Sequence, residues 1–220
     1  MMERSLDLKR GNKRMANTIR LVGEITSDVE KLYSIYSGED VYGFELSSER
    51  NSGVYDIVKC QIPSGIMPDD LRQYDRVYLF GEIRTRNTYD DSLGRSRLDV
   101  YVWVREFDFA KDDEEDKNEV DIEGFVCKEP IFRCTPLGRN ICDLLIASNR
   151  GYGKTDYIPS IAWGRLANVV SLLDVGTKVC AKGRFQSRFY NKKISDTEVE
   201  ERMAYELSVS RIEVVENEED

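Results

Sequence analysis

The residues best placed to do chemistry are clustered in SNRGYGKTDYIPSIAWGRLANV, where Gly151-Tyr-Gly-Lys-Thr155 resembles the end of a phosphate-binding loop. That loop reads G-x-x-x-x-G-K-[ST], and its first glycine would fall at Ser148, whose side chain would crowd a phosphate. A phosphate loop must also open into a helix whose N-terminus helps hold the anion. Here Asp156-Tyr-Ile-Pro-Ser-Ile-Ala-Trp163 follows, and a proline among β-branched residues predicts a strand. The stretch is therefore expected to be a tight hairpin without ATP hydrolysis, presenting Arg150, Tyr152, Lys154 and Tyr157. The chain has no histidine, which excludes Ser-His-Asp and Cys-His catalysis and the commonest zinc ligand. The five cysteines form no C-x-x-C pair and read as reduced thiols in core strands. The densest acidic run, DDEED, reads as a solvated linker rather than a metal cage. No enzyme, cofactor or metal is expected.

Positioning these groups takes a sizeable scaffold. The 220 residues have room for two domains of common size. No apolar stretch approaches a membrane span, and the charged start MMERSLDLKRGNKRMAN lacks a signal-peptide core, so the expected location is cytoplasmic with no membrane partner. The net charge of −9 argues at first against a nucleic-acid partner, but the acid is segregated. Residues 1–16 carry about +3, residues 17–107 about −5, and the run 108–117 about −4. Residues 118–212 carry about +2 and the tail 213–220 about −5. The second half is thus mildly basic.

The chain also repeats itself. Asn17-Thr-Ile-Arg-Leu-Val-Gly23 returns as Asn118-Glu-Val-Asp-Ile-Glu-Gly124. Tyr74-Asp-Arg-Val-Tyr-Leu-Phe-Gly81-Glu-Ile-Arg-Thr-Arg86 returns as Gly176-Thr-Lys-Val-Cys-Ala-Lys-Gly183-Arg-Phe-Gln-Ser-Arg188. A repeat this long means two copies of a domain rather than a solenoid. The predicted organisation is a flexible basic segment (1–16), a first copy (17–107), an acidic linker (108–117), a second copy (118–212) and an acidic tail (213–220). In the second copy, strands are expected at Asp121–Val126, Ile141–Ala147, Ile158–Trp163, Lys178–Tyr190 and Ala204–Arg211, with a helix over Arg165–Leu173. Five strands with a helix before the fourth is the order of an oligonucleotide/oligosaccharide-binding (OB) barrel. The fold class expected is therefore all-β, two tandem five-stranded OB barrels, each with one short helix.

Alternation in KVCAKGRFQSRFY places Val179, Ala181, Phe185 and Phe189 on an apolar face. It places Lys182, Arg184, Gln186, Arg188 and Tyr190 on a cationic one. Aromatic rings interleaved with Lys and Arg suit single-stranded nucleic acid, because bases stack on rings while cations track phosphates. The competing reading is an OB module that uses the same aromatics as a protein interface. Steep salt dependence with any single-stranded sequence would separate the two. Trp103, which ends the first copy, reads as core packing.

From Asn118 to Val215 the chain resembles the bacterial single-stranded DNA-binding protein (SSB) family. The motifs that carry this are NEVDIEGFV, KEPIFRCTPLGRNICDLLIAS, IAWGRLANV and VGTKVCAKGRFQSRFY. The whole chain is similar to a two-OB-fold type of that family from low-GC Gram-positive bacteria, more loosely over 17–107. The resemblance implies a non-catalytic protein that coats single-stranded DNA in replication, recombination and repair. It implies base stacking on Tyr152, Tyr157, Trp163 and Tyr190, with phosphate contacts from Arg150, Lys154, Arg165, Lys182, Arg184 and Arg188. In the first copy, aligned on its glycines, Gln61 stands for Trp163 and Ser52 for Tyr152. Tyr55, Tyr89, Arg84 and Arg86 remain there as secondary DNA contacts. The first copy is thus expected to serve mainly assembly. The resemblance further implies a homodimer presenting four OB folds, with replication and repair proteins as candidate partners. The tail VVENEED lacks the hydrophobic tip through which such proteins recruit enzymes. The alternative reading is a primosome-type interaction module.

Overall fold

The computed structural model describes residues 16–90, 94–193 and 199–215. The basic head before Ala16 and the acidic tail after Val215 lie outside them. The first half contains β1 (Asn17–Ile25), β2 (Glu30–Ser34), β3 (Asp40–Glu49), β4 (Tyr55–Pro63), β5 (Arg76–Asp90) and β6 (Arg95–Phe109). The second contains β7 (Lys117–Val126), β8 (Ile131–Cys134), β9 (Asn140–Arg150), β10 (Lys154–Trp163), the helix α1 (Arg165–Val170), β11 (Lys178–Lys193) and β12 (Val199–Val214).

Each half closes on itself. In the first, the order β3-β4-β6-β5-β1 is sealed by a β3–β1 pairing; in the second, β9-β10-β12-β11-β7 is sealed by β7–β9. Both barrels carry one parallel pair, β4–β6 and β10–β12, among antiparallel neighbours. These are five-stranded OB barrels, each with a short extra hairpin strand (β2 or β8) on its edge that the sequence reading did not anticipate. Inward residues such as Leu21, Leu46, Val58, Leu79 and Val102, and Ile122, Ile146, Ile158, Phe185 and Leu207, are buried and form the cores. The repeated glycines have a steric cause: Gly81 and Gly183 lie at the bulges of β5 and β11, where a Cβ would overlap the carbonyl oxygens of Trp103 and Ser208.

Three expectations need correction. The first barrel has no helix among its described residues: Pro63 and Pro68 break that stretch into turns, with Ile66 N–H donating to Pro63 O and Leu71 N–H to Pro68 O. Leu71 plugs the core there instead. Phe189 is exposed rather than apolar core, because β11 projects past the barrel with only β12 beside it. Trp103 is half-buried, and its outward register is opposite to that of the core residues Val102 and Val104. Among the described residues no helix is long and apolar enough to cross a membrane.

The barrels join through β1 and β7, which pair antiparallel with Ile19 opposite Val120, its own counterpart in the repeat. A pseudo-two-fold axis therefore passes between these two residues. The segment between β6 and β7 is exposed at Lys111–Glu115 and anchored to the first barrel near its end. Arg76 Nη2 donates to Glu114 O and Asp116 Oδ1, both at 2.7 Å, and Glu49 N–H donates to Asp116 Oδ2 at 2.6 Å.

Candidate nucleic-acid interface

β5 and β11 run beyond their pairing with β1 and β7, which leaves backbone groups on one edge without a ladder partner. Asn17 caps the first such edge, accepting from Ile83 N–H at 3.0 Å and donating to Ile83 O at 2.7 Å. Asn118 does the same for Phe185, both bonds at 2.8 Å. Two buried carboxylates extend these caps across the pseudo-two-fold. Asp156, from β10, accepts from Thr85 N–H at 2.8 Å and pairs with Arg84 at 3.0 Å and Arg150 at 3.5 Å. Asp56, from β4, pairs with Arg50, accepts from Ser187 N–H at 3.3 Å and lies 3.6 Å from Arg184. The hydroxyls of Ser187 and Thr85 accept in return from Ile57 N–H at 3.0 Å and Tyr157 N–H at 2.9 Å. Each barrel thus sends one arginine–aspartate pair onto the fifth-strand edge of the other.

The 151–153 turn is the hairpin the sequence predicts, with Arg150 opposite Lys154. Ser148 is buried and donates to Glu123 O at 2.9 Å, and Lys154 opens a strand rather than a helix. Tyr152 occupies the left-handed region at φ 64 and is fully exposed at the tip. A non-glycine residue there costs of order 1 kcal/mol, so the hairpin presents this ring at the expense of strain.

Along β10, Asp156, Ile158, Ser160 and Ala162 face inward, leaving Tyr157 and Trp163 outward and partly exposed. Ile161 lies opposite Ser208 of β12, and Ser208 opposite Arg184 of β11, so Trp163, Arg184 and Arg188 share one face. A groove of about 740 Å³ runs there, lined by Trp163, Arg139, Arg184, Arg188 and, from the other barrel, Arg50. A second hollow joins Trp163 to Arg139 and Arg165. Arg188 pairs with Glu206 at 2.9 Å and lies 5.7 Å from the Tyr190 ring centroid, carrying the face on to that aromatic. Burial and the charge of Arg50 hold the Arg184 guanidinium below its ordinary pKa.

The remaining candidates are distributed differently. Lys154 and Arg165 are exposed with no ion pair among the described residues. Lys182 is exposed and pairs with Asp121 at 2.7 Å. Arg150 belongs to the inter-barrel clamp with Asp156. In the first barrel Arg84 is buried in that same clamp between Asp156 and Glu82, so it is not presented to solvent. Arg86 pairs with Asp99 at 3.6 Å and lies 5.6 Å from the Tyr33 ring centroid. Tyr55 and Tyr89 are exposed on separate hairpins.

Strand register also revises the alignment of the copies. Ser48 opposite Asp56 matches Ser148 opposite Asp156, so the counterpart of Trp163 is Pro63, not Gln61. Gln61 is buried and accepts from Tyr33 Oη at 2.8 Å. By the same register Arg139 corresponds to Glu39 in the matching hairpin, and Arg184 to Glu82 after the bulge glycine. At these positions the second barrel has two arginines and an indole where the first has two glutamates and a proline, while Arg188 keeps its charge in its counterpart Arg86. Arg139 and Arg50 escaped the sequence reading: one sits in an unremarkable turn, the other in the opposite copy. The available signal was Arg50, which precedes Asp56 by the interval separating Arg150 from Asp156.

The second half is thus a closed OB barrel with one face of partly exposed rings set among arginines. Residues 117–215, the span of the second barrel, match the model of the single-strand binding protein family. Over nearly the whole chain the fold matches the wild-type single-stranded DNA binding protein from Thermus aquaticus, at TM-score 0.73 and 20% identity, covering 93% of this chain and 95% of that one. A deletion mutant of the same Thermus aquaticus protein gives TM-score 0.74 and 20% identity, covering 93% and 96%. At this identity the likeness establishes the fold. No curated protein sequence matches the chain.

Proposed function

We propose that this protein is a non-catalytic single-stranded DNA-binding protein whose main binding surface is the outward face of the second barrel. The observation that carries the proposal is Trp163 set among Arg139 and Arg184, against Pro63, Glu39 and Glu82 at the matching positions of the first barrel, with Arg188, matched there by Arg86, extending the same face. Bases stack on Trp163, Tyr157, Tyr190 and Tyr152, while Arg139, Arg165, Arg184, Arg188 and Lys154 follow the phosphates. The clustered aromatics favour this over a protein interface, since cations around an indole suit a polyanion with exposed bases. Coating of single strands in replication, recombination and repair, in the cytoplasm, follows from that activity.

Fluorescence titration with a mixed-sequence oligonucleotide tests it. Wild type should be quenched, duplex should bind far more weakly, and Trp163→Ala should lose about 1–3 kcal/mol of affinity together with most of the quench. Equal affinity for duplex and single strand would overturn the proposal.

The first barrel serves chiefly to assemble the second. With two barrels per chain, a homodimer presents four, the closed arrangement most oligomers adopt. Exposed Ile131, Phe132 and Leu137 on the outer hairpin of the second barrel supply apolar surface for it. Light scattering should return about twice 25.4 kDa.

A further inference from the structure

We infer that Arg50 of the first barrel forms part of the phosphate-binding subsite beside Trp163, so that the DNA face of the second barrel is completed by the first. The inference rests on the function proposed above and adds a residue from the half whose matching face carries Glu39 and Glu82. Arg50 lines the same groove as Trp163, Arg139, Arg184 and Arg188. Its position is held by Asp56, which accepts from Nε at 2.7 Å and from Nη2, leaving Nη1 without a partner among the described residues.

Charge count around the groove favours an anion. Four arginines line it, and the carboxylates paired with them are Asp56, shared by Arg50 and Arg184, and Glu206, paired with Arg188. Asp56 is itself almost fully buried and already accepts from Ser187 N–H, so it cannot swing out to neutralise the groove. Arg184 Nε is buried and makes no hydrogen bond, its nearest carboxylate oxygen being 3.6 Å away. Two guanidinium groups thus crowd one carboxylate at the edge of an open groove. A phosphodiester entering there relieves that like-charge contact and offers the acceptor that Nη1 of Arg50 lacks. Stacking of the adjacent base on Trp163 places the strand's phosphate within this cluster.

The test is single-stranded DNA affinity as a function of salt, using the full chain and a mixed-sequence oligonucleotide, for wild type, Arg50→Gln and Arg50→Lys. Loss of one phosphate contact should lower the slope of log affinity against log salt by about 0.7 and weaken binding about tenfold at low salt. Arg50→Lys should restore most of the slope, because the positive charge is retained. A structural defect alone would shift thermal stability and leave the slope unchanged. An unaltered slope in folded Arg50→Gln overturns the inference while leaving the second-barrel site standing. Absence of single-strand binding in wild type would instead remove the proposed function itself.

Discussion

Replacing Asp156 by alanine should destabilise the protein more than replacing its pseudo-symmetric counterpart Asp56. Asp156 is wholly buried, and its removal strips the Thr85 N–H of its acceptor and Arg84 and Arg150 of a charge partner. A buried donor left unsatisfied costs about 1–3 kcal/mol, and breaking a buried ion pair costs about 3–5 kcal/mol. Arg84 keeps Glu82, so the two contributions do not add in full, and about 4 kcal/mol is expected. Around Asp56 the bond to Ser187 N–H is longer, at 3.3 Å, and the side chains of Arg50 and Arg184 are 24% and 39% exposed. Those guanidiniums can turn to water, so about 2 kcal/mol is expected. Urea unfolding at a slope of about 2 kcal/mol per molar would place the midpoints lower by about 2 M and about 1 M respectively. Equal shifts, or a larger one for Asp56→Ala, would refute the argument that burial of the partners sets the difference.

The remaining predictions concern pH and charge. Burial pushes the Tyr205 phenol well above its ordinary value of 10.0, so the folded state retains its proton after the unfolded chain has lost it. Its contribution is therefore complete below pH 10 and declines as pH rises above it; Tyr205→Phe should flatten the alkaline loss of stability followed by circular dichroism. Arg139 is exposed with no ion pair among the described residues, and its counterpart Glu39 occupies the matching turn of the first barrel. Arg139→Glu should thus leave the unfolding free energy within about 0.5 kcal/mol of wild type while lowering single-strand affinity more than Arg139→Gln, as read by anisotropy.

Much of the architecture was legible because the repeat shows on the surface of the sequence: Asn17 and Asn118, Gly81 and Gly183 recur in matching contexts. Glycine and asparagine recur there for different physical reasons, steric at the bulges and hydrogen-bonding at the free strand edges. The outward alternation of Arg184, Arg188 and Tyr190 was legible for the same reason that any strand is, a period of two. What could not be read was anything that depends on the second barrel's neighbour. Arg84 has the spacing of a surface cation, yet Asp156 arrives from the other copy and buries it. Phe189 has the spacing of a core residue, yet the barrel ends before it. Aligning on glycines also mispaired Gln61 with Trp163, since the loops between the glycines differ in length while the hairpin registers coincide.

The pseudo-two-fold sets the contacts that dock the halves apart from most of each barrel's outward face. The contacts that dock the halves, β1 on β7 and the two arginine–aspartate clamps, lie at the edges of β5 and β11. The positions that differ in charge, Arg139 against Glu39 and Arg184 against Glu82, lie on the outward faces or hairpins beside them. The two sets meet where Glu82 pairs with the clamp residue Arg84 and where Asp56 holds Arg50 beside Arg184 in the opposite groove. At the latter point assembly and binding share a side chain: the carboxylate that caps the β11 edge also aims a guanidinium at the path proposed for the strand. Acidity of the first barrel as a whole is no obstacle to this, because the Debye length at physiological salt is about 8 Å and only charges near the groove act strongly on a bound phosphate. The overall charge of −9 describes solubility and long-range repulsion, while the local cluster decides where a polyanion settles.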